Sequence, residues 1–230
     1  MPTSFDLEKL DNLIFHALDG PHADLLIQGQ RLVRYHPDFF NAAALREAGP
    51  AAFAELRELT PEDDVAGLII DQLPDELPGW EVQFHGSWPQ MICADPSPVA
   101  TVQTVTLTAE DVPAMLELVA VTEPGPFRQR AIEMGPYLGV KLRGELVAMA
   151  GTRMRGGGFS EISAVCTHPD FRGRGYAAAL TAALVEQIRS WHEIPFLHVA
   201  PNNYPAQALY KKLGFAHTRD VPIAFLKRIG

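Results

Sequence analysis

The chain has 230 residues, of which 47% are hydrophobic, and its formal net charge at pH 7 is −9. This length is sufficient for one large domain or two small ones with a substantial core. The negative charge argues against a duplex nucleic acid as a partner, because phosphate binding requires a basic face.

Neither a targeting segment nor a cysteine framework is visible in the sequence. Residues 1–8 lack the basic start and apolar core of a signal peptide, and no apolar run reaches the length of a membrane span. Cys93 and Cys166 form no paired spacing and no Cys/His pattern, so no disulfide can be assigned and no metal site is predicted. We therefore predict a reducing, cytoplasmic setting without a membrane partner.

Three helices are predicted in the first hundred residues. Apolar residues at helical spacing predict a helix over 7–18, which ends at Asp19-Gly20-Pro21. The segment 51–59 is rich in alanine and leucine and predicts a second helix. Thr60-Pro61 has the capping hydroxyl and the first-turn proline of a third helix start.

Strands are predicted between and after these helices. Residues 32–35 read as one strand, and the alternating residues 80–84 read as another. The segment 90–93 is predicted to pair beside 80–84. The sequence Asp-Pro-Ser-Pro at 95–98 is typical of a linker.

After the linker, the chain begins with a strand and a capped helix. Residues 102–107 predict the strand, and Thr108 is expected to cap the helix, with Asp111 completing a capping box. The apolar face of this helix is predicted to consist of Val112, Met115, Leu116 and Val119. The proline-rich loop 122–127 follows, and a short helical stretch leads to Met134.

The remaining strands are predicted from alternation and turn signals. A hairpin is expected through Arg143-Gly144, with strands at 137–142 and 145–154. The next strand covers 160–167. A helix crosses from it to a parallel strand at 194–199, and an antiparallel strand at 221–228 closes the sheet.

A strand, a tight turn and a helix start follow one another in the centre of this second part. The β-branched residues 162–167 predict the strand, and apolar residues at three- and four-residue spacing over 177–191 predict the helix. Backbone N–H groups in such a turn, together with the positive end of the helix, favour a phosphate or pyrophosphate. Gly175 allows the anion to approach the backbone closely, and Arg172 and Arg174 add positive charge.

Other phosphate-binding loops fit these residues poorly. A P-loop would require Gly-Lys-Ser/Thr at its end, which does not follow Gly175. The dinucleotide-binding pattern counted from Gly173 meets Ala178 in place of its third glycine. An ordinary strand-to-helix turn remains as the alternative for the loop taken alone.

Two motifs carry a resemblance to a known family. The run Arg172-x-x-Gly175-x-Ala177 resembles the coenzyme A pyrophosphate loop of the GNAT superfamily of N-acetyltransferases, which reads Arg/Gln-x-x-Gly-x-Gly/Ala. Residues 203–215 are similar to the Asn-x-x-Ala-x-x-Leu-Tyr-x-x-x-Gly-Phe helix of the same superfamily. The second motif lies at the expected distance behind the first, which makes the resemblance specific.

The resemblance implies a fold and a division of the chain. The expected fold class is α/β, an α+β mixed sheet of the GNAT-like acyl-CoA N-acyltransferase type. The general layout is similar to the FR47-like branch, in which a divergent amino-terminal half precedes the catalytic half. We therefore predict a divergent α+β region over residues 1–100 and a GNAT N-acetyltransferase domain over residues 101–230.

The resemblance also implies the donor site. Acetyl-CoA would be the co-substrate, and the loop would hold its pyrophosphate. The strand before the loop would be bulged and splayed to admit the pantetheine arm, and a backbone N–H near Val165 would polarise the thioester carbonyl. The predicted donor-binding residues are Val165, Cys166, Thr167, Arg172, Gly173, Arg174, Gly175, Tyr176, Ala177, Ala178, Asn203 and Ala206.

Two residues are predicted to move protons. Tyr210 matches the family tyrosine that protonates the departing sulfur, and a phenol with a pKa near 10 can protonate a thiolate whose thiol has a pKa around 8.5. A packing role on an amphipathic helix is the alternative for Tyr210. Glu161 matches the register of the glutamate base in histone-acetylating members. A solvated strand-end acid is the alternative for Glu161, with His198 or ordered water as the base.

Two further residues allow more than one interpretation. Glu123 lies in the segment that helps to form the acceptor pocket in the superfamily, so it is either a ligand of the acceptor ammonium or a solvated acid. Cys166 could act as an acyl-enzyme nucleophile. No histidine is visibly placed to activate that thiol, and direct transfer requires no cysteine.

The sequence therefore predicts an N-acetyltransferase. The enzyme would move an acetyl group from acetyl-CoA to a primary amine of a small molecule, protein or peptide by direct transfer in a ternary complex. A non-catalytic acyl-CoA-binding sensor and an O-acyltransferase with the same donor site are the alternatives. The acceptor itself is not predicted, because acceptor loops carry no transferable code.

Overall fold

Eleven strands form one sheet in the computed structural model, which describes residues 7–230. The strands are β1 (Leu26–Gln28), β2 (Leu32–Tyr35), β3 (Ala42–Leu45), β4 (Val65–Ile69), β5 (Trp80–Cys93), β6 (Val105–Thr106), β7 (Tyr137–Leu142), β8 (Glu145–Gly156), β9 (Phe159–Thr167), β10 (Ile194–His198) and β11 (Phe215–Arg228). The α-helices are α1 (Leu13–Ala17), α2 (Pro50–Leu59), α3 (Val112–Thr122), α4 (Tyr176–Ser190) and α5 (Tyr204–Lys212).

The order of the strands across the sheet is β1-β2-β3-β4-β11-β5-β10-β9-β8-β7-β6. The pairs β3–β4 and β9–β10 are parallel, and the other neighbouring pairs are antiparallel. The predicted α/β class with a mixed sheet is confirmed. No helix within residues 7–230 is long and apolar enough to cross a membrane. The prediction about a signal peptide concerns residues 1–8 and lies largely outside the described residues.

The helix predicted over residues 7–18 is interrupted. A 3₁₀ turn at Leu7–Leu10 comes first, and α1 begins only at Leu13. Asp11 and Asn12 form a turn between the two segments, so the apolar spacing continues across a break in the helix. The second predicted helix is confirmed as α2.

Thr60 ends α2 and does not start another helix. Its hydroxyl donates to the Leu56 carbonyl at 2.7 Å, and its backbone N–H donates to the Arg57 carbonyl at 3.3 Å. Residues 61–64 then turn directly into β4. The third predicted helix is therefore wrong, because the hydroxyl that resembled an N-cap is used at the carboxyl end of the preceding helix.

The pairing predicted between 80–84 and 90–93 is also wrong. Both segments are parts of β5, a single strand of 14 residues that pairs along its length with β11. The carboxyl end of β5 pairs with β10 as well. The sheet therefore runs without a break across the boundary that was predicted at residue 100.

The segment after the linker differs from its prediction in detail. The strand expected over 102–107 is reduced to β6. The predicted capping box is present, with the Thr108 N–H donating to Asp111 Oδ2 at 2.9 Å. The following helix α3 buries Leu118 and leaves Leu116 37% exposed, so its apolar face is rotated from the predicted one.

The strands from β7 onward follow the predicted order. Arg143 and Gly144 have φ values of 51° and 89°, which suit the tight hairpin between β7 and β8. Helix α4 crosses between the parallel strands β9 and β10 and buries Leu180, Leu184 and Ile188 against the sheet. The last strand, β11, begins at Phe215 rather than at residue 221 and pairs with β5 throughout.

Candidate active site

The turn between β9 and α4 presents a run of unpaired backbone N–H groups. Gly173 and Gly175 have φ values of 76° and 79°, a conformation that glycine adopts without strain. No backbone N–H from 173 to 178 donates to an acceptor within residues 7–230. A Cβ placed on either glycine would meet nothing within 4 Å, so the space in front of the turn is open. With the start of α4 directly behind it, the turn suits an anion.

Strand β9 separates from β10 beside this turn. The parallel register ends at Glu161 and Phe196, although β9 continues to Thr167 and β10 to His198. Ala164 has a φ of 52°, and the register of β9 against β8 shifts around it, which identifies a β-bulge. The predicted bulge and splay are therefore present in the fold.

A cleft of about 930 Å³ connects the turn, the gap between the strands and α5. The donor-binding residues predicted from the sequence that line this cleft are Val165, Cys166, Thr167, Arg172, Gly173, Gly175, Ala177, Ala178, Asn203 and Ala206. Arg174 and Tyr176 do not line it. The Arg174 guanidinium lies over the Phe171 ring at 5.0 Å, and Tyr176 packs against the core.

Tyr210 lies at the wall of the cleft on α5. Its side chain is 8% exposed, and it packs at 5.7 Å, centroid to centroid, against the Phe215 ring. Burial, with a smaller contribution from nearby Cys166, raises the pKa of Tyr210 to about 12. The phenol is therefore protonated at neutral pH and can donate a proton into the cleft.

Asn203 is the N-cap of α5. Its side-chain oxygen accepts a hydrogen bond from the Ala206 N–H at 3.2 Å, so it satisfies one of the unpaired donors at the start of the helix. Asn203 and Ala206 both line the cleft. Their hydrogen bond fixes the start of the helix that carries Tyr210.

Glu161 is buried beneath Arg153. The Arg153 guanidinium donates two hydrogen bonds of 2.8 Å to the carboxylate, and the glutamate side chain is 0% exposed. Burial alone would raise the pKa of this carboxyl, but Arg153 and His198 outweigh it and hold the pKa at about 2. Glu161 does not line the cleft. A covered carboxylate of such low basicity is a poor acceptor for an ammonium proton, so the geometry argues against the general-base role that remains a prediction for it.

A chain of hydrogen bonds extends from Glu161 on β9 across the neighbouring strands β10, β5 and β11. His198 Nδ1 lies 2.9 Å from Glu161 Oε1, and Gln90 Nε2 lies 3.0 Å from His198 Nε2. Arg219 Nε donates to Gln90 Oε1 at 3.0 Å, which turns the amide NH₂ of Gln90 toward the histidine. The network therefore favours neutral His198 with its proton on Nδ1. His198 lines the cleft.

Cys166 and Glu123 also line the cleft. Burial raises the pKa of the Cys166 thiol to about 11, so the nucleophilic thiolate is scarce at neutral pH. This disfavours the acyl-enzyme alternative. Glu123 is exposed and ends α3 with a φ of 47°.

The structure brings two residues to the cleft, and a third to a cavity beside it, that the sequence did not identify as site residues. Arg153 lies on β8 and covers Glu161, Trp88 lies on β5, and Asn41 lines a narrower cavity that shares Trp88 and Arg153 with the cleft. An arginine inside the apolar β8 segment was the one signal available for them. Trp88 and Asn41 come from the first hundred residues and reach the site only through the order of the strands.

Comparisons with known proteins place this cleft in context. The family model described as FR47-like protein matches residues 137–221. A protein from Novosphingobium aromaticivorans DSM 12444, assigned as an acetyltransferase of the GNAT family, is 34% identical with a TM-score of 0.85. That match covers 96% of this chain and 99% of the other.

A GCN5-related N-acetyltransferase from Kribbella flavida shares the fold. It is 18% identical with a TM-score of 0.64, and the match covers 96% of this chain and 95% of the other. A search of curated proteins finds no match.

Proposed function

The chain belongs to the GNAT family of acetyltransferases, and on this premise we propose that it transfers an acetyl group from acetyl-CoA directly to a primary amine. The carrying observation is that one cleft is lined by an open N–H turn, a gap between diverging parallel strands and a protonated phenol. Acetyl transfer between a thioester and an amine requires an anion site, a slot for the pantetheine arm and a proton for the leaving sulfur.

Binding of the donor is assigned to the turn and the strand gap. The N–H groups of residues 173–178 hold the pyrophosphate, and the exposed Arg172 adds a mobile positive charge. The Thr167 hydroxyl is buried without a hydrogen-bond partner in residues 7–230, and its residue lines the cleft, so it is available to an oxygen of the donor. The edge of β9 near Val165 supplies the N–H that polarises the thioester carbonyl.

The protons are assigned to His198 and Tyr210. The Nε2 atom of His198 exchanges the hydrogen bond from Gln90 for the ammonium proton and leaves a neutral amine. The amine nitrogen attacks the thioester carbon, and collapse of the tetrahedral adduct breaks the C–S bond. The Tyr210 O–H protonates the departing sulfur, and the tyrosinate recovers a proton from the new amide nitrogen. Glu161 stabilises the imidazolium of His198 and does not itself receive the proton.

Tyr210→Phe should lower kcat by about 10²-fold, because it removes the hydroxyl that is proposed to protonate the departing sulfur. The affinity for acetyl-CoA should hardly change, since the ring still packs against Phe215. Single-turnover thiol release and calorimetric titration measure the two quantities separately. Normal turnover in this variant would mean that the thiolate leaves without assistance.

His198→Gln should lower the rate at pH 7 by about 10²-fold. The rate should recover as the pH approaches the pKa of the acceptor amine, near 10 for a lysine-type amine, because the amine then arrives neutral. The pH dependence of single-turnover thiol release provides the test. His217→Gln is the matched control, since His217 is exposed and pairs with Asp220. A profile for His198→Gln that coincides with that control would exclude His198 as the base.

The overall proposal is tested by release of free coenzyme A from acetyl-CoA in the presence of a panel of primary amines. Amine-dependent thiol release is expected. Tight binding of acetyl-CoA without release for any amine would favour an acyl-CoA sensor, and release with alcohols alone would favour O-acyl transfer.

A further inference from the structure

A second, narrower cavity of about 70 Å³ opens from the cleft toward the first hundred residues. Its walls are mainly apolar, and they include Ile14, Phe40, Ala42, Leu68, Ile223 and Phe225. The cavity and the cleft share Trp88, Pro126, Arg153 and His198, so these residues form the junction between them. The residue assigned above as the base therefore lies where the two spaces meet.

Two buried hydrogen-bonding atoms without partners in the described part of the chain belong to residues that line this narrow cavity. Asn41 Oδ1 and Trp88 Nε1 are buried and have no partner within residues 7–230. Arg153 also lines the cavity and donates to Glu161 through Nε and Nη2, which leaves its Nη1 as a further donor. Buried polar groups are nearly always paired, so this set indicates a ligand.

The side chains that carry these groups are fixed. The Trp88 indole makes edge contacts with the Phe84 and Phe225 rings at 6.1 and 5.8 Å between centroids. The Arg153 guanidinium is clamped by Glu161 and lies over the Phe40 ring at 4.3 Å. The backbone at Asn41 is held as well, because its carbonyl accepts the Gly67 N–H at 2.8 Å. The site is therefore formed before a ligand arrives.

The chemistry of these groups restricts the ligand. Donors predominate at the junction, so the ligand must present an oxygen there, next to the amine that faces His198. The charge of Arg153 is already neutralised by Glu161, so a neutral carbonyl suits the junction better than a full carboxylate. The apolar walls of the narrow cavity suit a small apolar side chain.

Given the proposed acetyl transfer, we infer that the acceptor is an α-amino amide with a small apolar side chain. The amine faces His198, the adjacent carbonyl accepts from Trp88 Nε1 and Arg153 Nη1, and the side chain fills the narrow cavity. This chemistry occurs in a small amino amide and at the amino terminus of a peptide. The inference also gives the first hundred residues a function, because Asn41, Phe40 and Trp88 all come from them.

Four probes of similar size test this inference. Leucinamide has the amine, the neutral carbonyl and the side chain, whereas leucine has a carboxylate and 3-methylbutylamine has no carbonyl. Leu-Gly-Gly presents the same groups at a peptide terminus. The value of kcat/KM for leucinamide, expressed per concentration of neutral amine, should exceed that for 3-methylbutylamine by about 10²-fold or more, because the analogue leaves buried donors unpaired. The ratio of Leu-Gly-Gly to leucinamide then distinguishes the peptide from the small-molecule source.

The variant Trp88→Phe identifies the recognition group. It removes the indole N–H and should raise KM for leucinamide by about tenfold, with little change in kcat or in the affinity for acetyl-CoA. Trp191→Phe is the matched control, because Trp191 lies under Arg155 outside both cavities. The same KM in both variants would overturn the assignment of Trp88.

Calorimetric titration into the protein saturated with coenzyme A separates this inference from the proposed function. Leucinamide should bind there and 3-methylbutylamine should not. Selective binding without any acetyl transfer would overturn the proposed function alone. Equal binding or equal turnover of the two amines would overturn the acceptor class and leave acetyl transfer intact.

Discussion

Gly175→Glu is expected to abolish binding of acetyl-CoA and leave the fold intact. Position 175 is exposed, and a Cβ there meets nothing within 4 Å, so the new side chain disturbs no packing. The φ of 79° costs a non-glycine residue about 1–2 kcal/mol, which a domain of this size tolerates. The carboxylate, however, occupies the space in front of the N–H groups where the pyrophosphate is proposed to bind, and it repels that anion.

Calorimetric titration with acetyl-CoA measures this effect, and two variants control for backbone strain. Gly175→Ala introduces the same strain without charge and should weaken binding far less. Gly144→Glu introduces a glutamate at an equally open position with a φ of 89°, in the hairpin outside the cleft. It should bind acetyl-CoA normally. Unchanged affinity in Gly175→Glu would remove the donor site from the turn.

Local sequence predicted the parts of the site that local backbone geometry determines. The turn at residues 173–178 depends on two glycines and a helix start, all within one short segment. The cap at Asn203 was not predicted, although it too is a contact between residues three apart. In such segments the residue types determine φ and the available donors directly, so the pattern is informative before any tertiary contact is known.

The acceptor side of the site could not be predicted in this way. The position of β5 between β11 and β10 brings Trp88 to the cleft, and β4 beside β11 brings the region of Asn41 to it. These contacts join segments that are about 100 residues or more apart in the sequence, and no local pattern encodes them. Thr60 shows how a local pattern can mislead. A threonine hydroxyl can bond at the end of one helix or at the start of the next, and here it donates to the Leu56 carbonyl of the preceding helix.

Glu161 shows why register alone is insufficient to assign a chemical role. Its spacing from Arg172 matched that of a family base. The basicity of its carboxylate, however, depends on the residue that the neighbouring strand β8 brings next to it. The register of β8 against β9 shifts between Thr152 and Arg155, and Arg153 lies within this irregular segment and faces the carboxylate. The pair makes Glu161 a buried partner of the Arg153 cation, which argues against the predicted role as a base. Both residues can be read from the sequence, but the shift in strand register that brings them together cannot.

Glu161→Gln should lower the free energy of unfolding by about 3–5 kcal/mol at neutral pH, because it leaves the buried Arg153 cation without its partner. The pKa of Glu161 in the folded protein is about 2, below the ordinary value of 4.5. Its stabilising contribution is therefore complete above about pH 5 and is lost as the pH falls toward 2. The wild-type protein should lose stability through this range more steeply than the variant, which chemical denaturation at a series of pH values will measure.

The matched control for this effect is Glu133→Gln. Glu133 receives the same two-pronged contact from Arg130, at 2.7 and 2.8 Å, but both side chains are 47% exposed. Its removal should change stability little, because water screens an exposed pair. Equal losses in the two variants would show that burial of Glu161 does not set its contribution to stability.

The turnover rate of the folded Glu161→Gln variant then decides the chemical role of Glu161. If Glu161 acts through His198, this rate is no lower than that of His198→Gln, and combining the two changes causes no further loss. A rate far below that of His198→Gln would make the carboxylate itself the base.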